Sequence, residues 1–146
     1  MTPDVNVLLA AYRTDHPHHP VARPWLKSSL AAADEGARWT LLPMVAAGFL
    51  RLVTHPKVFP EPTPIDQACT FVDALLSCPG VEMGQIGQEW NGLAALSRDR
   101  GLSGNRVPDA WIASAVRTLG EHLVTFDRDF TALLDRSEFT LLKAQA

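Results

Sequence analysis

The sequence predicts an α/β fold with a parallel sheet of four or five strands. Short apolar runs alternate with longer segments whose apolar residues recur at helical spacing. Strands that alternate with helices in this way favour a parallel sheet. Since the chain has 146 residues, we expect a single domain over residues 1–146 with one hydrophobic core.

The first quarter of the chain is expected to contain a strand, a helical turn and a connection. Residues 2–9 place Asp4 and Asn6 at the rim of a first short strand, and a helical turn through Leu8 and Leu9 follows. We interpret residues 13–24 as a connection interrupted by prolines. Its histidines lack the i, i+4 spacing of a helical metal pair, so a mobile surface loop near the site is favoured over a transition-metal site. These histidines are His16, His18 and His19.

The middle of the chain predicts two βα units joined by a stiff linker. In chain order, the expected elements are a helix over 25–33, a strand over 38–42, a helix from Pro43 to about residue 54, an extended linker over 59–64 and a helix over 65–77. Thr63 is a candidate cap for the last of these helices. A short strand over 81–83 and a helix over 89–100 follow.

The C-terminal third predicts a helix and two strands. Pro108 suits the first turn of a helix, apolar residues then recur at helical spacing to Leu119, and Gly120 is a natural stop. Residues 123–126 are too few for another helix and predict a buried strand. Residues 139–142 predict the last strand.

Acidic residues occupy the ends of these elements. Asp4 lies at the first strand, Asp109 lies in the first turn of a helix, and Asp127 and Asp129 follow the strand over 123–126. Ligands of open α/β sheets bind outside the carboxyl ends of the strands, so these acids can converge at one edge. At about 5 Å and an effective dielectric of about 20, two carboxylates repel by roughly 3 kcal/mol. A divalent cation neutralises such a cluster, and oxygen ligands suit Mg²⁺ or Mn²⁺. Turn chemistry and helix dipoles alone also place aspartates at such positions.

Four motifs together resemble the PIN domain, and within that superfamily the VapC toxins of bacterial toxin–antitoxin pairs. They are residues 4–9 (Asp-Val-Asn-Val-Leu-Leu), 48–56 (Gly-Phe-Leu-Arg-Leu-Val-Thr-His-Pro), 105–113 (Asn-Arg-Val-Pro-Asp-Ala-Trp-Ile-Ala) and 123–130 (Leu-Val-Thr-Phe-Asp-Arg-Asp-Phe). The resemblance covers nearly the whole chain and implies a three-layer α/β/α sandwich.

The resemblance also implies an Mg²⁺- or Mn²⁺-dependent endoribonuclease that acts through metal-activated water. Asp4, Asp109, Asp127 and Asp129 would be catalytic, with Asp4 and Asp109 as metal ligands. The residues Asn6 and Thr125 would orient those carboxylates. The implied partners are an RNA substrate, with tRNA and rRNA as candidates, a VapB-type antitoxin and a second copy of the chain.

One position departs from the family pattern. The family usually has a glutamate on the helix after the second strand, and the matching position here is Gly48. The site then runs on fewer acids, or Asp129 and water compensate, or the protein cuts poorly. We interpret Arg51 on the same helix as a solvated cation rather than a site residue.

Composition restricts the classes of function. The net charge of −3 argues against a strongly basic nucleic-acid binder. It leaves room for an RNA-cutting enzyme, because bound metal and local cations supply positive potential. Cys69 and Cys78 indicate neither a zinc knuckle nor a disulfide framework, and we expect buried, reduced thiols. Neither a signal peptide nor a transmembrane run is visible, so we expect a cytoplasmic protein without membrane contact.

Two alternatives to the nuclease stay open. In haloacid-dehalogenase-like phosphatases, an aspartate after the first strand is the nucleophile and a second aspartate follows two residues later. Here Asn6 occupies that second position. The other alternative is a catalytically weakened PIN domain that only binds RNA or an antitoxin.

The four tryptophans are expected to serve mainly as core residues. Trp90 is predicted to face inward with Leu93, Ala94 and Leu96. Trp111 is the exception, because it follows Asp109 closely and is expected near the rim of the site.

Overall fold

The computed structural model describes residues 1–144. The domain expected over residues 1–146 therefore includes two residues that lie outside the described range. Within that range the chain forms five short strands, all paired in parallel. They are β1 (Thr2–Pro3), β2 (Trp39–Leu41), β3 (Val81–Met83), β4 (Leu123–Thr125) and β5 (Phe139–Leu141).

The strands lie in the spatial order β3-β2-β1-β4-β5. β1, β4 and β5 form one hydrogen-bonded ladder, and β2 and β3 form another. The two ladders meet where the backbone N–H of Thr40 donates to the carbonyl of Met1 (3.0 Å) and the Thr2 hydroxyl donates to the carbonyl of Thr40 (2.6 Å). The chain thus builds outward from β1 in one direction and then returns to add β4 and β5 on the other side. The predicted parallel sheet is confirmed.

Helices cover the sheet and give a three-layer α/β/α sandwich. They are α1 (Val5–Tyr12), α2 (His19–Asp34), α3 (Pro43–Val53), α4 (Ile65–Ser77), α5 (Trp90–Arg100) and α6 (Arg106–Leu119). α1 packs against α2 and α3, α3 packs against α4, and α5 packs against α6. The core between the layers includes the fully buried side chains of Leu8, Trp39, Phe49, Val116 and Phe130.

Most predicted elements are present with shifts of one or two residues, and α2 is the largest exception. It begins at His19, so the connection predicted over 13–24 ends six residues early. Pro20 lies in the first turn, where its missing N–H costs nothing. Pro24 lies inside the helix, and the buried Ala22 and Leu26 hold this stretch against the core. Tertiary packing thus overrides the proline signal.

The segment before α2 is also packed rather than purely superficial. The His18 ring stacks on Phe126 with 4.5 Å between ring centroids. His16 is partly buried, and its ring nitrogen Nδ1 accepts a hydrogen bond from the His18 backbone. Burial lowers the pKa of His16 below its ordinary value. These contacts tie the segment to the residue that precedes Asp127.

Three smaller predictions are corrected. Trp90 is 65% exposed rather than inward-facing, because it is the first residue of α5 and the partly buried side chains of that helix come later. Thr63 does not cap α4; its hydroxyl accepts a hydrogen bond from Arg13 (3.1 Å). Cys69 and Cys78 are free thiols as expected, but they are only partly buried.

The ends of α6 follow their sequence signals closely. Gly120 ends the helix with φ of 65°, a left-handed conformation that glycine adopts without a steric penalty. Arg117 in the last turn pairs with Glu138 (2.9 Å), which ties α6 to the connection before β5. Within residues 1–144, none of the helices has the length and apolar character that a membrane span requires.

Candidate active site

The carboxyl ends of β1 and β4 meet at the point where the strand order reverses. β1 ends at Pro3, and Asp4 follows as the N-cap of α1. β4 ends at Thr125, and Asp127 follows two residues later as the cap of a 3₁₀ turn over Arg128–Ala132. The two strands are neighbours in the sheet. Ligands of open α/β sheets bind at such a switch point.

Asp4 is held by three hydrogen-bond donors. Its Oδ1 accepts from the backbone N–H of Val5 (2.7 Å), and its Oδ2 accepts from the Thr125 hydroxyl (2.7 Å) and from Asn6 Nδ2 (3.1 Å). The side chain is only 6% exposed. Burial raises the pKa of Asp4 above its ordinary value, the bonds from Thr125 and Val5 oppose that rise, and the nearby charge of Asp127 adds to it.

Asn6 and Thr125 tie Asp4 to the strand that carries Asp127. The Thr125 hydroxyl accepts hydrogen bonds from the Asp127 backbone N–H (2.9 Å) and from Asn6 Nδ2 (3.3 Å) while it donates to Asp4. Asn6 Oδ1 accepts from the backbone N–H of Phe126 (3.2 Å). The two side chains predicted to orient the acids therefore contact Asp4 directly. Their part in catalysis stays a prediction.

Asp109 reaches the same region from the first turn of α6. No hydrogen bond reaches its carboxyl group from the residues that the structure describes. Burial and the charges of Asp4, Asp127 and Asp129 raise the pKa of Asp109 to about 6, against a weak opposing effect of Arg106. A carboxyl group with this pKa shows that the acids act on one another across the site.

Asp129 is exposed and contributes from a greater distance. Its backbone N–H donates to Asp127 Oδ1 (2.9 Å), which fixes the orientation of Asp127. Its own carboxylate raises the pKa of Asp109 less than those of Asp4 and Asp127 do.

A cavity of about 1090 Å³ joins three of the four acids. Its polar lining comprises Asp4, Asn6, Arg51, Asn105, Asp109 and Asp127. Its apolar lining comprises Val5, Leu9, Pro43, Met44, Leu52, Ile86, Pro108, Trp111 and Ile112. The structure thus gathers residues from both ends of the chain and from α3 and α6 around one open space.

Comparison with known proteins identifies the family. The PIN domain family model matches residues 1–133. The chain belongs to the PIN-domain family. This membership removes the phosphatase alternative.

Curated relatives of this PIN domain include Mycobacterium tuberculosis proteins named Ribonuclease VapC. Ribonuclease VapC31 is 39% identical over 130 residues, which span 87% of this chain and 88% of that protein. Ribonuclease VapC25 is 38% identical over 128 residues, with coverage of 87% and 88%. The resemblance to VapC proteins is therefore confirmed at the level of family.

A solved structure shows the same fold at low sequence identity. It is the crystal structure of VapBC2 from Rickettsia felis bound to a DNA fragment from their promoter. The TM-score is 0.59 at 17% identity, and the match covers 90% of this chain and 91% of the other. The predicted PIN-like architecture is confirmed by this likeness.

Gly48 of this PIN domain lies in the cavity wall, where α3 faces α1. A Cβ atom at this position would lie 2.8 Å from Cγ2 of Val5, which is closer than carbon atoms pack. Val5 therefore fills the space that a side chain at Gly48 would need. The two residues are sterically matched, a relation that the sequence did not reveal.

Arg51 also lies in the cavity wall, which corrects its interpretation as a solvated cation away from the site. It is one turn beyond Gly48 on α3, so both positions face the same side of the helix. The sequence pattern misled because α3 has a broad apolar face, and the cavity lies at its edge.

Trp111 lines the cavity as predicted, and a residue that the sequence did not single out fixes it. Its Nε1 donates to Glu89 Oε1 (2.7 Å), and Glu89 Oε2 accepts from the Gly87 backbone N–H (2.6 Å). Although burial raises the pKa of Glu89, these two hydrogen bonds hold it below its ordinary value. Glu89 had only been expected at the start of a helix. No local sequence signal links it to Trp111.

The donor set fits a hard divalent cation. Asp4, Asp109 and Asp127 offer carboxylate oxygens to one cavity, and their mutual repulsion raises the pKa of Asp109. No three His, Cys, Asp or Glu side chains among residues 1–144 form a ready-made cage of direct ligands. Mg²⁺ does not require such a cage, because one or two carboxylates and several waters hold it.

Proposed function

We propose that this PIN domain is a metal-dependent endoribonuclease and the toxin of a VapB–VapC-type toxin–antitoxin pair. The observation that supports the proposal is the meeting of Asp4, Asp109 and Asp127 in one cavity, with the pKa of Asp109 raised to about 6. The names of the curated relatives supply the substrate class, which is RNA.

In this proposal Asp4 and Asp109 hold Mg²⁺ or Mn²⁺, with Asp127 as a further ligand directly or through water. A bound ion lowers the pKa of a coordinated water and neutralises charge on the phosphate and leaving oxygens. Asn6 and Thr125 keep the Asp4 carboxylate in one orientation through their hydrogen bonds. The Asp129 backbone does the same for Asp127.

The partners follow from the same kinship. We propose a VapB-type antitoxin as the protein partner, a homodimer as the solution state and the cytoplasm as the location. Light scattering with and without a co-expressed antitoxin tests the assembly. A monomer at all micromolar concentrations would contradict the homodimer.

The weakened binding module is the second candidate, and the matched pair Gly48 and Val5 favours it. Val5 fills the space next to Gly48, so the fourth acid of the family has no room at this position. In this case the domain would bind RNA or an antitoxin through the same cavity without cutting.

A cleavage assay separates the two candidates. The purified protein is incubated with tRNA and with rRNA in Mg²⁺, in Mn²⁺ and in EDTA, beside Asp4→Asn and Asp109→Asn. We expect cutting by the wild type in either metal, none in EDTA and none by either variant. Undiminished cutting in EDTA would refute the metal mechanism, and binding without cutting in every buffer would support the binding module.

A further inference from the structure

Arg51 is the only charged side chain of α3, and it faces a cavity lined by three carboxylates. Its guanidinium nevertheless forms no salt bridge, because no carboxylate of residues 1–144 lies within 4.0 Å of it. Other arginines of the chain do pair, as Arg13 does with Asp15 and Arg117 does with Glu138. Arg51 is therefore exposed to solvent at the cavity with its five donors available.

The surroundings of Arg51 favour an anionic ligand that enters the cavity. Gly48, one turn earlier, carries no side chain that could neutralise the guanidinium, and Val5 covers that position with methyl groups. Next to Arg51, Leu52 and Met44 give the cavity an apolar lining that offers no acceptor. A phosphate with two free oxygens matches the planar fork of a guanidinium in shape and charge.

We propose that Arg51 binds a backbone phosphate of the RNA in this cavity and positions the strand against Asp4, Asp109 and Asp127. The assignment rests on the proposed function. It gives α3, which lacks the fourth acid, a cationic role at the substrate instead of a ligand role at a metal. The helix dipole alone also favours a cation in the last turn of α3, so the experiment must distinguish phosphate binding from helix stabilisation.

Salt-dependent RNA binding makes that distinction. The probe is a fluorescently labelled single-stranded RNA of mixed sequence, titrated with Asp109→Asn protein in Mg²⁺ buffer so that cutting does not consume it. Each lost phosphate contact to a single strand lowers the slope of log K against log salt by about 0.7. We expect Arg51→Ala to weaken binding about tenfold at low salt and to reduce the slope by that amount, with part of the affinity restored in Arg51→Lys.

A matched control and a stability measurement complete the test. Arg23 is an exposed arginine on α2 that does not line the cavity, and Arg23→Ala should leave affinity and slope unchanged. A lower melting temperature for Arg51→Ala with an unchanged salt slope would assign Arg51 to helix stability and overturn the proposal. An effect confined to binding of a protein partner would overturn it as well.

Kinetics in the protein with intact acids separates this proposal from the proposed function. If the wild type cuts RNA and Arg51→Ala cuts it with unchanged KM and kcat, the phosphate assignment fails while the nuclease stands. If the wild type neither cuts nor binds RNA, both fail. We expect KM to rise about tenfold in Arg51→Ala, with a smaller change in kcat, because the contact mainly binds and orients the strand.

Discussion

Asp4 and Asp109 line the same cavity but are held in opposite ways. Asp4 is almost fully buried and accepts hydrogen bonds from Val5, Asn6 and Thr125. Asp109 is half-buried and accepts no hydrogen bond from the described residues, and its pKa rises to about 6. Folding therefore fixes the orientation of Asp4, whereas the electrostatic cost of the acid cluster concentrates at Asp109.

This difference explains why the two aspartates should respond differently to substitution. An amide at position 4 would replace an acceptor oxygen that faces the Thr125 hydroxyl and Asn6 Nδ2 with a further donor. An amide at position 109 removes a charge that no donor compensates. Asp109→Asn is therefore the cleaner probe of the charge cluster, while Asp4→Asn changes charge and network together.

The largest effect is expected where the Asp4 network is cut. Thr125→Val keeps the shape of a fully buried side chain but removes a hydroxyl that bonds Asp4, Asp127 and Asn6. We expect a loss of roughly 2–4 kcal/mol in the free energy of unfolding, because buried donors and an acceptor lose their partner. Urea denaturation measures it. The control is Thr131→Val, an exposed threonine that should change stability by less than about 0.5 kcal/mol. Equal small losses in both variants would show that the network is dispensable.

The next effect concerns pH and isolates the Asp109 side. The folded pKa of Asp109, about 6, lies above its ordinary value of 3.8, so the folded state binds the proton more tightly. In EDTA, stability should therefore rise as pH falls from 7 towards 4, by at most about 3 kcal/mol from this group. Denaturation at several pH values tests it, and Asp109→Asn should show a smaller rise. An identical pH profile in this variant would place the repulsion elsewhere.

A moderate effect is expected from restoring an acid on α3. Gly48→Glu alone must displace Val5, because the added Cβ would lie 2.8 Å from its Cγ2. In Val5→Ala/Gly48→Glu, the smaller neighbour makes room, and we expect Mg²⁺ affinity to increase about tenfold, or about 1.4 kcal/mol. The starting affinity should be weak, with saturation at millimolar Mg²⁺. Titration calorimetry measures both, with Val5→Ala as the matched control. Unchanged affinity would mean that Gly48 is not the position of the missing acid.

The smallest effect on stability is expected at Asp129. This exposed residue fixes Asp127 through its backbone, which Asp129→Asn retains. We expect stability to change by less than about 0.5 kcal/mol and cutting to fall several-fold, far less than in Asp109→Asn. Equal loss of cutting in the two variants would make Asp129 a direct ligand.

The sequence predicted the sheet and most helices because their signals are local. Gly120 ends α6 as expected, and β3 and α4 have the predicted bounds. α2 began earlier than predicted because packing of Ala22 and Leu26 outweighs the effect of Pro24. The outcome shows that proline rules fail where the helix is held by the core.

The site was predictable only in part. The positions of the acids after strands and in a first helical turn indicated that they converge, since strand ends share an edge of the sheet. The fit of Val5 to Gly48, the place of Arg51 in the cavity wall and the bond from Trp111 to Glu89 depend on contacts between distant segments. No periodicity or spacing in one sequence encodes such contacts.

The most direct test of this account is the melting temperature of the wild type and of Asp109→Asn, each in EDTA and in a series of Mn²⁺ concentrations. A ligand that binds only the folded state raises its stability according to its affinity. We expect Asp109→Asn to be more stable than the wild type in EDTA, and Mn²⁺ to raise the melting temperature of the wild type much more than that of the variant. A variant that is no more stable in EDTA and responds equally to Mn²⁺ would contradict a shared cation site built from these acids.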